Sequence, residues 1–280
     1  MTLDLLTLGR IGVDLYPEQT GVGLEDVSTF AKSLGGSPTN VAVAAARLGA
    51  RAAVVTKVGD DPFGRYCRRA LRAFGVEDRF VGVHPRLRTP LAFCEIHPPD
   101  DFPLLFYREP TAPDLTLTAD ELNFDAIRAA RILWTTGTGL SAAPSREATL
   151  AALAARDGAP AIHDLDFRAT FWASRAEAAR LACEALRFAT VAVGNREEVA
   201  VAVGSDDPER LLELGVELAI VKCGPDGVLV ATRDGRFAVP PVPVDVVCGL
   251  GAGDAFGGAL AYGLLQGWPP ERAVRLANAA

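Results

Sequence analysis

The segment Gly249-Leu250-Gly251-Ala252-Gly253-Asp254-Ala255-Phe256-Gly257-Gly258 brings together residue types that can carry group-transfer chemistry. Small residues at 251, 252 and 253 let backbone N–H groups approach an anion closely. A helix expected over Phe256–Gln266, with Phe256, Leu260 and Leu264 on one face, would point its N-terminus, carrying roughly half a positive charge, at that anion. Asp254 falls at the same end, where a carboxylate is favoured in its ionised form by about 0.3–1 kcal/mol. An ionised aspartate beside an anion hole of Gly251, Ala252 and Gly253 suits phosphoryl transfer: the carboxylate takes a proton from an attacking hydroxyl while the amides receive charge. Alone, the motif reads equally well as a tight turn with a capping aspartate. Asn195 and Glu198, three positions apart, share a helix face and offer oxygens to the water shell of Mg²⁺, an ion that usually keeps several waters.

Positioning these groups requires a scaffold, and the chain alternates short apolar runs with helical stretches. Strands are expected at Leu5–Leu8, Ala52–Val58, Arg131–Thr135, Ala161–Asp164, Thr190–Val193, Leu218–Lys222 and Gly227–Thr232. Helices are expected at Pro38–Leu48, Pro62–Phe74, Glu121–Ala130 behind a capping-box spacing at Thr118, and Ser145–Ala155. A β-branched stretch, Val244 to Val247, precedes the glycine-rich motif. The alternation predicts an α/β fold: a doubly wound, mainly parallel sheet with helices on both faces and ligands at the carboxyl ends of its strands. Two segments, 15–34 and 85–109, break the pattern. The second pairs Leu91–Ile96 with Leu104–Tyr107 across Pro98-Pro99-Asp100-Asp101, which reads as a hairpin. Together they are expected to form a small β-sheet lid on a single domain spanning 1–280, with an exposed edge open to pairing in a homodimer. Ala279-Ala280 falls inside a helix expected from Pro270 without a stop signal, the pattern of a chain that continues.

Composition narrows the function classes. With 280 residues, 49% of them apolar, the chain can bury a large core. A net charge of −7 argues against a broad nucleic-acid surface, so anionic substrates would have to be met by local positive groups. No apolar run is long enough to span a membrane, and the N-terminus lacks a secretory pattern, which leaves the cytoplasm as the default. Five scattered cysteines, with no Cys-x-x-Cys pair, point to reduced thiols rather than a disulfide framework or zinc site.

Gly251-Ala252-Gly253-Asp254 resembles the C-terminal signature of the ribokinase-like (PfkB) carbohydrate kinases. Gly35-Gly36-Ser37-Pro38-Thr39-Asn40, followed by Ala42, Gly49 and Gly59, resembles their N-terminal signature. The resemblance implies an ATP-dependent kinase with Asp254 as general base. It implies that Gly35-Gly36 forms the hinge between lid and main sheet, and that Asp14 and Asn40 hydrogen-bond substrate hydroxyls. Asn195-Arg196-Glu197-Glu198 matches the family's Asn-x-x-Glu motif for Mg²⁺, with Asn195 also at the nucleotide. Lys222-Cys223-Gly224-Pro225-Asp226-Gly227 resembles the Gly-x-x-Gly turn beside the nucleotide; Lys222 reads either as a phosphate contact or as a strand-end lysine. Asn278 resembles a residue near adenine. Cys248 stands where many relatives carry an aspartate that helps bind a monovalent cation, so ATP and Mg²⁺ are expected and K⁺ is not.

Further resemblances bear on the substrate. Tyr107-Arg108 matches a pair that meets an acidic, open-chain sugar in 2-keto-3-deoxygluconate kinases, and a guanidinium fork suits a carboxylate. Asp164-Leu165-Asp166-Phe167-Arg168 resembles the 5-dehydro-2-deoxygluconokinase subgroup of myo-inositol catabolism, as do Gly9–Gln19, Phe30–Pro38 and Pro144–Ala148; Arg168 would bridge phosphate and substrate there. The expectation is phosphorylation of 5-dehydro-2-deoxy-D-gluconate at its 6-hydroxyl. The alternatives are 2-keto-3-deoxygluconate or another sugar as substrate, or a non-catalytic sugar-binding regulator on the same fold.

Overall fold

The computed structural model describes residues 2–98 and 101–280; Met1, and Pro99 and Asp100 of the expected hairpin connection, lie outside the described residues. In chain order the strands are β1 (Leu5–Leu8), β2 (Gly12–Pro17), β3 (Phe30–Gly35), β4 (Ala52–Gly59), β5 (Val81–His84), β6 (Leu91–Cys94), β7 (Leu104–Tyr107), β8 (Ile132–Thr136), β9 (Ala161–Asp164), β10 (Val191–Asn195), β11 (Leu218–Lys222), β12 (Val228–Thr232) and β13 (Gly235–Val239). The helices are α1 (Ser37–Arg47), α2 (Pro62–Ala73), α3 (Phe124–Ala129), α4 (Ser145–Ala154), α5 (Arg175–Leu186), α6 (Arg196–Val203), α7 (Glu209–Leu212), α8 (Ala252–Leu265) and α9 (Pro270–Ala279).

Among the described residues, nine strands form the main sheet in the order β13-β12-β11-β10-β9-β8-β1-β4-β5. From β5 to β11 the neighbours are parallel, and β12 and β13 add an antiparallel edge. The central strands are apolar on both faces because both faces are covered. Val41, Leu71, Leu260 and Val274, from α1, α2, α8 and α9, pack on one side. Ile127, Leu153 and Leu181, from α3, α4 and α5, pack on the other. The second sheet, in the order β3-β2-β6-β7, is the lid-like element expected from segments 15–34 and 85–109.

Two local expectations need correction. The Thr118 capping box is present, with the Glu121 carboxylate accepting the Thr118 N–H at 2.9 Å, but it closes a single 3₁₀ turn. The helix begins only at Phe124, after Asn123 accepts the Ala126 amide at 2.8 Å. The β-branched stretch Val244 to Val247 is irregular chain leading into the glycine-rich turn, with Val244 and Val247 71% and 74% exposed. Finally, α8 starts at Ala252 rather than Phe256, so Asp254 lies inside its first turn.

Helix α8 is held against α1 at very close range. A Cβ on Gly258 would lie 2.4 Å from the Ala44 Cβ and 2.8 Å from the Ala45 nitrogen. Only glycine at 258 allows this approach, and the approach brings Asn40 of α1 to Asp254 of α8.

Candidate active site

The carboxyl ends of three adjacent parallel strands supply Asp164 (β9), Asn195 (β10) and Lys222 (β11), with Asn195 and Lys222 directly paired in register. The tip of α8 faces them across a cleft of about 540 Å³ lined by Ser37, Phe102, Asp164, Asp166, Arg168, Asn195, Glu198, Lys222, Gly224, Gly249, Leu250, Gly251, Gly253 and Asp254. A larger cavity, about 790 Å³, opens at the opposite end of the strands beside Arg131, Phe237 and Leu264, and none of the expected site residues line it.

The turn into α8 is shaped for an anion. Gly251 takes a left-handed conformation at φ +83°, which glycine adopts without strain. The Ala252 and Asp254 amides donate to Gly249 and Gly251 carbonyls at 3.3 and 3.0 Å. Among the described residues no acceptor pairs with the Gly251 or Gly253 amide. The anion hole is therefore narrower than expected: Gly251 and Gly253 have free donors, whereas Ala252 and Asp254 spend theirs inside the turn. The Lys222 ammonium stands at the same tip, 3.3 Å from where a Gly253 Cβ would sit.

The Asp254 carboxylate accepts a hydrogen bond from Asn40 Nδ2 at 2.9 Å. Burial pushes its pKa above the usual carboxylate range; bonds from Asn40 and Ser37 pull it back, the charge of Asp166 raises it and Arg10 lowers it. Asp14, on β2, is also raised, to about 6, by burial, with Arg10 lowering it and Asp254 raising it. A Cβ on Gly35 would come 2.0 Å from Asp14 Oδ1, so glycine is required there for Asp14 to lie over the turn. Gly36, at φ +102°, sits with its Cα over the Arg10 carbonyl, 2.3 Å from a notional Cβ.

On the nucleotide side, Asn195 and Glu198 cap α6 reciprocally: Glu198 Oε2 accepts the Asn195 N–H at 2.7 Å and Asn195 Oδ1 accepts the Glu198 N–H at 2.9 Å. Each thus holds the other at the cleft wall. Burial opposes the charge of Lys222, yet Asp164, Glu198 and Asp254 outweigh it and hold the ammonium above its ordinary pKa. Burial likewise pushes the Asp164 carboxyl up, against the pull of Lys222. Arg168 lies 3.2 Å from Asp166, and Thr138 donates to that same carboxylate at 3.0 Å.

The family model described as pfkB family carbohydrate kinase matches residues 2–280. The chain belongs to this family. A relative named 5-dehydro-2-deoxygluconokinase, from Geobacillus thermodenitrificans, is 35% identical over 99% of this chain and 86% of its own. The main architecture matches solved structures. An uncharacterized sugar kinase from Pyrococcus horikoshii, in complex with ATP, has a TM-score of 0.84 at 27% identity, covering 98% of this chain and 90% of its own. Aminoimidazole riboside kinase from Salmonella enterica, complexed with aminoimidazole riboside and an ATP analog, has a TM-score of 0.83 at 27% identity over 98% and 91%.

Within this pfkB-family chain, the structure brings together Asp14, Gly35, Gly36, Asn40, Arg168, Asn195, Glu198, Lys222, Gly224, Gly251, Gly253 and Asp254. It separates others. Tyr107 is paired with Leu91, and through it with Val13, on the face of the small sheet opposite Asp14; it is 60% exposed, with its ring against Phe93. Arg108 donates to Asp114 at 2.7 Å. Gly227 packs against the Val239 carbonyl and serves its own turn. Asn278 donates to the Pro240 carbonyl at 2.9 Å and does not line the cleft. Two residues escaped the sequence reading. Phe102, from the β6–β7 connection, reaches the glycine-rich turn, 3.1 Å from a notional Gly249 Cβ. Arg10 lies under Gly36, 3.6 Å from Asp166. Arg10 falls within the Gly9–Gln19 stretch that carries part of the resemblance, but neither residue was singled out, since each meets a partner distant in the chain.

Proposed function

We propose that this carbohydrate kinase transfers the γ-phosphoryl of ATP to the 6-hydroxyl of 5-dehydro-2-deoxy-D-gluconate, with Asp254 as general base. The observation that carries the reading is the pairing of a hydrogen-bonded Asp254 carboxylate with free Gly251 and Gly253 amides at one helix tip, beside Lys222. The relatives' name supports the substrate. The unpaired amides and the Lys222 ammonium fit a triphosphate, as helix N-termini and lysines commonly do. Mg²⁺ also fits. Among the described residues no group of three or more His, Cys, Asp or Glu can chelate a metal directly. Glu198, Asn195 and Asp164 instead offer single oxygens at the cleft wall, as suits an ion held by one or two carboxylates, waters and phosphate. When bound, the ion would neutralise charge on the triphosphate.

In this mechanism Asp14 and Asn40 bound the sugar pocket, and Asn40 also orients Asp254. Asp254 takes the proton of the attacking hydroxyl, the Gly251 and Gly253 amides receive charge on the transferred group, and Arg168, steered by Asp166, reaches the same cleft. The small sheet acts as a lid that excludes water. Its outer face carries Phe30, Phe93, Leu105 and Tyr107 and fits a second copy of the chain, so a homodimer through the lid belongs to the same proposal. Sedimentation of Tyr107→Glu, expected to be monomeric beside a dimeric wild type, checks it.

The decisive assay offers ATP with 5-dehydro-2-deoxy-D-gluconate, 2-keto-3-deoxygluconate and neutral sugars, and reads ADP. Fastest turnover of the first is expected. Thermal stabilisation by a sugar without ADP release would indicate a binding protein and end the kinase reading. Asp254→Asn should lower kcat by at least about 10² with nucleotide affinity nearly unchanged; activity within tenfold of wild type would remove the base assignment.

A further inference from the structure

We infer that Arg10 binds the substrate's carboxylate and thereby sets the preference for an acid over a neutral sugar; the inference rests on the acidic-sugar reading above. The arginine expected in this role, Arg108, is already committed. Its guanidinium donates to Asp114 at 2.7 Å with both side chains nearly buried, 10% and 4% exposed, and it lines a separate cavity of about 380 Å³ beside Glu109 and Thr170. Breaking that pair to bind substrate would strand a buried carboxylate.

Arg10 is in the opposite state. Its side chain is 11% exposed, and its Nε is buried without a hydrogen-bond partner. Its Nη2 makes only a long ion pair with Asp166, so the guanidinium, which has five N–H donors, is left under-satisfied. Its nearest carboxylate, Asp166, lies at 3.6 Å, beyond hydrogen-bond range, and the two oxygens of Asp166 are already engaged, one by Thr138 at 3.0 Å and one by Arg168 at 3.2 Å. The Phe106 and Phe171 rings, 5.5 and 6.0 Å from its Cζ, hold the guanidinium in place without satisfying it.

Its position matches the sugar side of the site. The Arg10 carbonyl lies directly beneath Gly36, and its charge acts on both Asp14 and Asp254. It does not line the cleft that holds Lys222 and Arg168, so the moving phosphoryl has other partners. A planar fork with an unpaired Nε, fixed by aromatic rings near Asp14, Asp166 and Asp254, has the chemistry of a receptor for a carboxylate.

The test compares kcat and KM of wild type, Arg10→Met, Arg10→Lys and Arg108→Met on two substrates: the acidic sugar and the matched sugar whose carboxylate is replaced by CH₂OH. Arg10→Met should lose about 10²-fold more in kcat/KM on the acid than on the neutral sugar, the excess appearing mainly in KM, while any loss through the charge on Asp254 is common to both substrates. Arg10→Lys should fall between, because it keeps the charge and loses the fork. Arg108→Met should weaken both substrates alike. An acid preference that survives Arg10→Met, or equal losses on both substrates, would overturn the inference while leaving the kinase reading intact. A wild-type enzyme with no preference for the acid would overturn the acidic-sugar reading itself, and the inference with it.

Discussion

Asn40 was expected to touch substrate, yet its amide is spent on Asp254 Oδ2 at 2.9 Å, and this changes what its removal should do. A donor to a carboxylate favours the ionised form, and here it offsets the burial that pushes Asp254 upward. Asn40→Ala should therefore move the acid limb of the kcat/KM profile to higher pH, with a larger loss at pH 6 than at pH 8. An unmoved limb would make Asn40 a substrate ligand only. Asp14 gives a second pH effect, in stability. Its folded pKa of about 6 exceeds the ordinary 3.8, so the folded state holds a proton that the unfolded chain has released between those values. Stability in the ligand-free protein should fall as pH rises through this window, and the deficit should persist above it. Asp14→Asn should remove the deficit: urea unfolding should show a gain on the order of 2 kcal/mol at pH 8 and almost none at pH 4, with kinase activity lost. An equal gain at both pH values would mean that the effect is not the carboxylate's charge. The positions of Asp254 at a helix tip and Lys222 at a strand end were legible in the sequence because their motifs fix them there; the surroundings of Arg10 were not, because Phe106 and Phe171 reach it only through the fold.

The elements that carry these residues were mostly legible, and the exceptions are instructive. Strands such as Leu5–Leu8 and Leu218–Lys222 matched to the residue because continuous apolar runs bounded by polar ones have one burial solution in a parallel sheet. The β-branched stretch Val244 to Val247 stays irregular, since β propensity without a ladder is weak. The Thr118–Glu121 box predicted a helix start and found only a turn, since a capping box satisfies a first turn without deciding whether a second follows. The crossing of α1 and α8 is the element-level feature that holds Asn40 at Asp254. With 2.4 Å between a notional Gly258 Cβ and the Ala44 Cβ, any side chain must push the helices apart, and Asn40 would leave Asp254. Gly258→Val should destabilise the fold by about 1–3 kcal/mol, the usual range for overpacking, and lower kcat beyond what the unfolded fraction explains. Full specific activity in the folded fraction would show that α1 can shift without moving Asn40.

The whole molecule solves a charge problem that composition posed. A chain of net charge −7 has to meet an anionic nucleotide with local positive groups, and in the proposed reading Arg168, Lys222 and a helix N-terminus, gathered in one cleft at the end of the main sheet, supply them. Those groups work best in a cleft shielded from water, where their fields are screened least. In the proposed reading the small sheet provides that shield, and one contact is placed to do so: the Phe102 ring, carried on the β6–β7 connection, lies against Gly249 and lines the same cleft as Asp254 and Lys222. Removing the ring should leave the base, the amides and the lysine in place while admitting water to the γ-phosphoryl. Phe102→Ala is therefore expected to keep ATP consumption near wild type but raise ADP released per phosphorylated sugar severalfold above one, as an incompletely sealed site diverts phosphoryl to water. Parallel assays of ADP and phosphorylated product measure that ratio directly. If turnover falls while the ratio stays at one, the ring contributes only to packing of the two sheets, and the seal must be sought elsewhere on the lid.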